Sequence, residues 1–280
     1  MTIAIGIKVK EGIVLLNDSA LGIKMYIEKN DSEKNIVREI ETVNIYSNAN
    51  KLFQIATAFP IGLATYSSYN IGSDLLNTLF YEFDKLITSK NPEWSIDIEN
   101  YSIENDIIPK FNKFISRKYN TAYKDQAEKP LVGLILAGYS SHRIYPEIWK
   151  ITLDSNGFIP NEWYKETAGL VYDGSGSEAL ERLIYGISLQ TKYILTKYGD
   201  YQSVDANKTA TLLATKSETQ FIDHLTPLRD AIDIGQFLAQ TAINFEKFRP
   251  TAIKAVGGPI NIAIISRRGG FQWIKSNNLV

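Results

Sequence analysis

The chain has 280 residues, of which 44% are hydrophobic and 22% are charged, and it contains no cysteine. These proportions are typical of a soluble globular protein with a sizeable core. The formal net charge of −1 gives no electrostatic support for binding nucleic acid or an anionic membrane. The lack of cysteine excludes disulfides, thiolate metal ligands and a thiol nucleophile. No apolar run approaches the roughly 20 residues of a membrane span, and no signal sequence is evident, so we expect a cytoplasmic protein.

The hydrophobic pattern predicts strands, two helices, strands, two helices and a final strand pair. The first strands are predicted at 2–9, 12–18, 52–59 and 61–66. A charged insertion at 21–47 separates the second strand from the third, and we expect it to be an exposed excursion within one domain. Apolar residues at helical spacing then predict helices across Ile71–Phe83 and Ile107–Ile115.

Strands return in the middle of the chain, at 131–139 and 144–153. Two more amphipathic helices are predicted across Leu180–Ile194 and Ala231–Phe245, followed by a hairpin over 260–274. Helices of this kind must bury their apolar faces on sheets. We therefore expect an α+β fold in a single domain over 1–280, with two stacked, mainly antiparallel sheets between helical layers, a four-layer αββα sandwich.

The N-terminal segment carries the most chemical information, because Thr2 directly follows Met1. A small second residue permits removal of Met1, and Thr2 would then carry a hydroxyl nucleophile and a free α-amine. Taken alone, a Met-Thr-apolar start is more typical of an ordinary edge hairpin.

The register of this hairpin decides what faces Thr2. A three-residue turn at Val9–Glu11 would place Thr2 opposite Asp18, with Cβ atoms about 5 Å apart. A two-residue turn at Lys10–Glu11 would instead pair Thr2 with Ser19 and turn Asp18 to the other face. The sequence leaves both registers open.

Four further segments follow at characteristic positions: Lys51 before Leu52–Ile55, Gly62–Thr65, Gly174–Ser177 opening a helix, and Gly257–Ile260 opening a strand. Together with Thr2 and Asp18, their order and spacing resemble the β-type subunits of the proteasome family of N-terminal-nucleophile (Ntn) hydrolases. The strongest likeness is to bacterial proteasome-like proteins such as the Anbu type, and it covers most of the chain.

The resemblance implies roles for four side chains. Thr2 matches the threonine that attacks the scissile carbonyl, Asp18 its acidic partner, and Lys51 the lysine that reaches the threonine oxygen. Ser175 matches a serine that supports the nucleophile. The chemistry is consistent, because an α-amine titrates at about 7.7–8.0 and a nearby ammonium ion lowers that pKa further.

The resemblance also implies an oxyanion donor and a substrate pocket. The backbone N–H of Thr65 stands where the family usually has a glycine donor. Leu63 matches a position that shapes an apolar pocket for the residue before the cut. Two positions depart from the family, since Ile253 and Val256 stand where active members usually carry an aspartate and a serine. That loss removes polar support for the nucleophile.

The function implied by the resemblance is a cytoplasmic threonine-type peptidase. It would need no cofactor or metal and would assemble into a homo-oligomeric ring or spiral. Its substrate would be a peptide or unfolded protein, with an unfoldase as a further partner. Two alternatives stay open: a catalytically inactive structural subunit of the same fold, for which Ile253 and Val256 argue, and an amidase acting on small amides.

Overall fold

The computed structural model describes residues 2–30, 36–55, 57–126, 128–188, 190–199, 202–250 and 256–277, with side chains described outside 23–43, 190, 192 and 203–204. Within these ranges the chain combines antiparallel sheets with six α-helices and a π-helical turn, which is the predicted α+β class. None of the described helices is long and apolar enough to cross a membrane.

In chain order the strands are β1 (Ile3–Val9), β2 (Gly12–Asp18), β3 (Leu21–Asn30), β4 (Ile36–Tyr46), β5 (Leu52–Gln54), β6 (Ile61–Tyr66), β7 (Asn70–Ile71), β8 (Asp74–Leu75), β9 (Val132–Gly138), β10 (Glu147–Asp154), β11 (Gly157–Trp163), β12 (Gly169–Gly174), β13 (Ile260–Ser266) and β14 (Gly270–Lys275). The α-helices are α1 (Leu76–Ile87), α2 (Ile108–Ala122), α3 (Ser177–Tyr185), α4 (Gln190–Tyr198), α5 (Ser203–Ser217) and α6 (Leu228–Phe248), and the π-helical turn Ile103–Ile107 leads into α2.

Two five-stranded antiparallel sheets organise the described residues. Sheet I has the order β12-β1-β2-β13-β14, and sheet II has the order β11-β10-β9-β6-β5. Strands from the two ends of the chain are neighbours in sheet I, because β2 pairs with β13 from Ile260↔Asp18 to Ser266↔Gly12.

Three hydrophobic clusters connect these elements, and alternating side chains on each strand explain the separation. One cluster joins sheet II to α1 and α2, and includes Leu136, Phe83 and Phe111. A second joins sheet I to α3 and α6, and includes Ile5, Leu180 and Leu238. The third draws on both sheets, and includes Leu15, Ile135 and Ala263.

The predicted insertion at 21–47 contains a β-ribbon. Its strands β3 and β4 pair with each other from Leu21↔Tyr46 to Asn30↔Ile36, and they join no other described strand. Residues 31–35 lie outside the described part of the chain. The sequence predicted the excursion but not its strands.

Several predicted boundaries are wrong, for local reasons. The strand predicted over 52–59 ends at Gln54, because the chain reverses and the Ile55 N–H donates to Ile61 O at 3.0 Å. The helix predicted from Ile71 begins at Leu76, after a turn in which Gly72 has φ of +59°. The single helix predicted across Leu180–Ile194 is two helices, because α3 ends at Gly186 in a left-handed conformation.

Besides β3 and β4, the sequence analysis missed the two-residue strands β7 and β8 and the longer elements β11, β12 and α5. Side chains along β11 are half-buried or exposed, so its apolar alternation is weak. Helix α5 is mostly exposed, with Ala206 its fully buried side chain among those described. Such segments give little periodic signal.

Candidate active site

Thr2, Asp18 and Lys51 meet at one end of the two sheets. Thr2 precedes β1, Asp18 ends β2 and Lys51 precedes β5. Lys51 Nζ lies 2.7 Å from Thr2 Oγ1 and 3.0 Å from Asp18 Oδ1, and the Thr2 hydroxyl donates to that same carboxylate oxygen. The residues are 3%, 0% and 3% exposed, respectively. The three side chains singled out in the sequence therefore form one buried, mutually hydrogen-bonded group.

The hairpin register that brings them together is the two-residue one. Val9 pairs with Gly12 and Ala4 with Asn17, so the three-residue turn that would set Thr2 opposite Asp18 is wrong. Continuing this register places Ile3 opposite Asp18. The carboxylate nevertheless reaches Thr2: its Oδ1 accepts both the Ile3 N–H, at 3.0 Å, and the Thr2 hydroxyl.

Backbone donors fix the Asp18 carboxylate. Its Oδ2 accepts from the N–H groups of Gly257 at 3.0 Å and Ala20 at 3.2 Å, in addition to the Ile3 bond to Oδ1. The loop before β13 therefore contributes to the site through its backbone. Charge-assisted bonds of this kind are among the stronger hydrogen bonds in proteins.

The contacts of Lys51 are those of an ammonium ion. Its Nζ donates to Thr2 Oγ1, Asp18 Oδ1 and the carbonyl oxygen of Ala20, which matches the three N–H donors of a protonated lysine. Burial lowers the pKa of Lys51 below its ordinary value of 10.5, and the attraction of the Asp18 carboxylate opposes that shift. The cation therefore loses its proton more readily than a surface lysine does.

Asn17 links the two sheets beside this group. Its Nδ2 donates to Ile3 O at 3.1 Å and to Thr65 O at 2.9 Å, and the residue has no exposed surface. Asn17 Oδ1 is buried and has no hydrogen-bond partner among the described residues. Sequence analysis did not select Asn17. The available signal was an amide directly after the apolar run Ile13–Leu16.

The oxyanion prediction for Thr65 meets a competing bond. The Thr65 N–H donates to Lys51 O at 2.9 Å, as part of the pairing between β5 and β6. This donor is therefore engaged, and the bond would have to open before a substrate oxygen could use it. The assignment stays a prediction.

The surroundings of Leu63 and Ser175 differ from those that the resemblance implies. Leu63 has no exposed surface and lies in the cluster beneath α1 and α2. Ser175 is exposed, and no hydrogen bond of its hydroxyl is seen within the described ranges. Its glycine neighbours make the contacts instead: the Gly176 N–H lies 3.4 Å from Thr2 O, and a Cβ at Gly174 would lie 2.1 Å from that oxygen.

Of the two positions that depart from the family pattern, the structure describes Val256 but not Ile253. Val256 is 4% exposed and packs in the apolar cluster between sheet I and α6. Ile253 lies outside the described residues, as does Met1, whose removal the nucleophile requires.

The arrangement sets a hydroxyl between a carboxylate and an ammonium ion in a closed space. No protein-family model matches the chain. No curated protein sequence matches it either.

Proposed function

We propose that this chain is a proteasome-like threonine peptidase, built as a four-layer αββα Ntn hydrolase, in which processed Thr2 cleaves peptide bonds. The observation that carries the proposal is the 2.7 Å contact between Lys51 Nζ and Thr2 Oγ1, with Asp18 bonded to both groups. The three clusters, with helices packed on the outer faces of both sheets, support the layered architecture.

The chemistry follows from these positions. Removal of Met1 frees the Thr2 α-amine, which accepts the hydroxyl proton as Oγ1 attacks the carbonyl carbon. The Lys51 ammonium ion stabilises the negative charge that develops on Oγ1, while Asp18 holds the ammonium ion in place. The C–N bond then breaks, the amine leaves with the proton, and water hydrolyses the Thr2 ester to restore the hydroxyl.

The proposal includes the setting in which such an enzyme would work. Thr2 is only 3% exposed in the unprocessed chain, so substrate access requires a change around Thr2, such as the removal of Met1. We propose cytoplasmic homo-oligomers that enclose the sites, with peptides or unfolded proteins as substrates and an unfoldase as a supplying partner.

The second candidate is an inactive structural subunit of the same fold. The apolar packing of Val256 and the engaged N–H of Thr65 favour it, because both remove groups that would assist the nucleophile. This candidate predicts the same assembly without turnover.

Intact mass and a covalent probe separate the two. We expect purified protein to lack Met1 and to form one adduct with a peptide epoxyketone, which requires a free amine and a hydroxyl on the same residue. Thr2→Ala should abolish both the adduct and cleavage of short apolar peptides. Retention of Met1, or peptide cleavage that survives Thr2→Ala, would overturn the peptidase proposal. A processed chain with no adduct would assign the structural role.

A further inference from the structure

A groove follows the outer edge of β12, the first strand of sheet I. In the described part of the chain β12 pairs only with β1. Two cavities of about 480 and 370 Å³ lie along its other side and share Leu170, Tyr172 and Tyr185. Each volume falls within the range of roughly 300–1,000 Å³ found for ligand sites. We call this combined space the β12 groove.

The backbone of β12 directs hydrogen-bonding groups into the groove. Ile3 uses its N–H and C=O on the β2 side, with Asp18 and Asn17, so the next residue, Ala4, faces β12. Ala4 pairs with Asp173. The backbone N–H and C=O groups of Tyr172 and Leu170 consequently point away from β1. On that side the Leu170 carbonyl accepts a bond from the Tyr164 hydroxyl at 3.1 Å. Tyr172 presents its N–H and C=O to the groove.

The larger cavity has mainly apolar walls, whereas the smaller one is mainly polar, with Glu218, Thr219 and Gln220 in its lining. Trp163, Tyr185 and Ile187 line the larger cavity, and α5 faces it with the small side chains of Ala210 and Ala214. These small residues leave space between the helix and the strand edge. Proteins usually cover the edge of a sheet, because its unpaired N–H and C=O groups can pair with another chain. The edge of β12 borders a cavity instead.

One end of the groove adjoins the candidate active site. Asp173 and Ser177 line the larger cavity and flank the segment that touches the Thr2 carbonyl. Strand spacing places the Cα atoms of Asp173 and Thr2 about 8 Å apart, since Asp173 opposes Ala4 and Thr2 lies two residues further along. Lys150 and Asp173 form an ion pair of 2.5 Å at this end.

We infer that the β12 groove binds an extended peptide by strand addition, with one peptide residue paired to the N–H and C=O of Tyr172. Backbone amides are the chemistry that complements an open strand edge, and apolar side chains match the walls of the larger cavity. The inference rests on the proposed function in one respect: the peptide is the part of the substrate beyond the cut. Thr65, the predicted oxyanion donor, lies on β6 of sheet II and lines neither cavity.

Binding to the full-length Thr2→Ala chain tests this without catalysis. The probe is a fluorescein-labelled Ala-Ala-Leu-Ala-Ala peptide, compared by fluorescence anisotropy with peptides N-methylated at one residue at a time. Strand addition uses the N–H groups of alternate residues. We therefore expect at least tenfold weaker binding when the residue paired with Tyr172 is methylated, and little change at its immediate neighbours. Equal tolerance at all positions, or no binding at millimolar peptide, would overturn the inference.

Groove-filling variants provide a second test. Ala210→Phe should weaken binding of the unmethylated peptide at least tenfold, whereas Leu212→Phe, at a position 58% exposed on the same helix, should leave it unchanged. Equal affinity of both variants would contradict the groove assignment. Peptide binding to Thr2→Ala with no cleavage by the unsubstituted chain would refute the proposed function alone. Cleavage without any effect of Ala210→Phe on the KM for longer peptides would refute the groove alone.

Discussion

The Thr2 hydroxyl lies between a carboxylate and an ammonium ion, and its proton points to the carboxylate. Asp18 Oδ1 accepts from Thr2, from Lys51 and from the Ile3 N–H at once. Asp18 is therefore the nearest proton acceptor seen for the nucleophile. After Met1 is removed, the α-amine becomes a second acceptor, with a pKa near the working pH. The site thus offers two proton acceptors to one hydroxyl.

The alkaline pH dependence should report Lys51. Burial lowers its pKa below 10.5, so its charge is lost as pH rises through a value under 10.5. Because the charged form stabilises the Thr2 oxygen, we expect kcat/KM to fall on the alkaline side at a pH below 10.5. The acid side should follow the α-amine, at or below about 8. Peptide hydrolysis measured between pH 5 and about 11 checks both limbs.

Lys51→Arg is the matched control for that profile. A guanidinium ion keeps its charge above about pH 12, so this variant should lose the alkaline limb even if its rate is lower. An unchanged alkaline limb in Lys51→Arg would show that another group titrates there.

Residue types were a better guide than residue positions to the meeting of Thr2, Asp18 and Lys51. Thr2, Asp18 and Lys51 could be selected because each has a distinct chemistry and the three match a known spacing. Their contacts could not be derived from the hairpin turn, because the observed register sets Asp18 opposite Ile3 and not opposite Thr2. The backbone contacts of Gly257 N–H and Ala20 O could not be predicted, because they do not depend on the residue type.

Between elements, Asn17 is the connection with the clearest consequence. One amide group on β2 holds a carbonyl of β1 in sheet I and a carbonyl of β6 in sheet II. It therefore fixes the spacing between the strand that follows Thr2 and the strand that carries the predicted oxyanion donor.

Asn17→Ala should destabilise the protein and slow its chemistry. It leaves Ile3 O and Thr65 O without this donor, which costs about 1–3 kcal/mol in unfolding free energy. We also expect the rate of epoxyketone reaction at Thr2 to fall by roughly tenfold or more, because small displacements of reacting groups are costly. Urea denaturation and the inactivation rate measure the two effects.

The control is Asn261→Ala. Asn261 is also buried and lies directly opposite Asn17 on β13, but it accepts a bond from Asn277 instead. It should lower stability without slowing the Thr2 reaction. Equal rate losses in both variants would mean that Asn17 acts only through overall stability.

The elements that sequence analysis found are those with a strong apolar face. Strands β1, β2, β6, β9 and β13 and helices α1, α2 and α6 contribute most of the buried clusters, and each was predicted. Strand β12 was missed because it is short and half-buried, with a burial pattern that alternates weakly. It is nonetheless the strand that borders both Thr2 and the β12 groove.

In the molecule as a whole, glycines set how closely the two sheets approach. A Cβ at Gly6 in sheet I would lie 2.5 Å from Ile148 Cδ1 in sheet II. A Cβ at Gly62 in sheet II would lie 2.9 Å from Ile265 Cδ1 in sheet I. Neither position has room for a side chain without movement of the facing residue. The α+β class was predictable from the apolar patterns of the strands and helices, whereas this spacing depends on pairs distant in sequence.

Gly6→Ala should therefore destabilise the fold by about 1–3 kcal/mol, the usual cost of overpacking a core. The compensating change is Ile148→Val, which removes the Cδ1 methyl group that the new Cβ would meet. We expect the double variant to be more stable than Gly6→Ala alone, as measured by urea denaturation of all four forms. Strictly additive losses would show that the two residues do not meet across the sheets.

The ribbon formed by β3 and β4 begins and ends beside the group formed by Thr2, Asp18 and Lys51. Its base is closed by the Ala49 N–H, which donates to Ser19 O at 2.9 Å, and by Lys51 Nζ, which bonds Ala20 O. Each strand residue adds about 3.3 Å, so ten paired positions project roughly 30 Å from that base. Because these bonds involve no residue of β3 or β4, shortening the ribbon should leave the geometry around Thr2 intact.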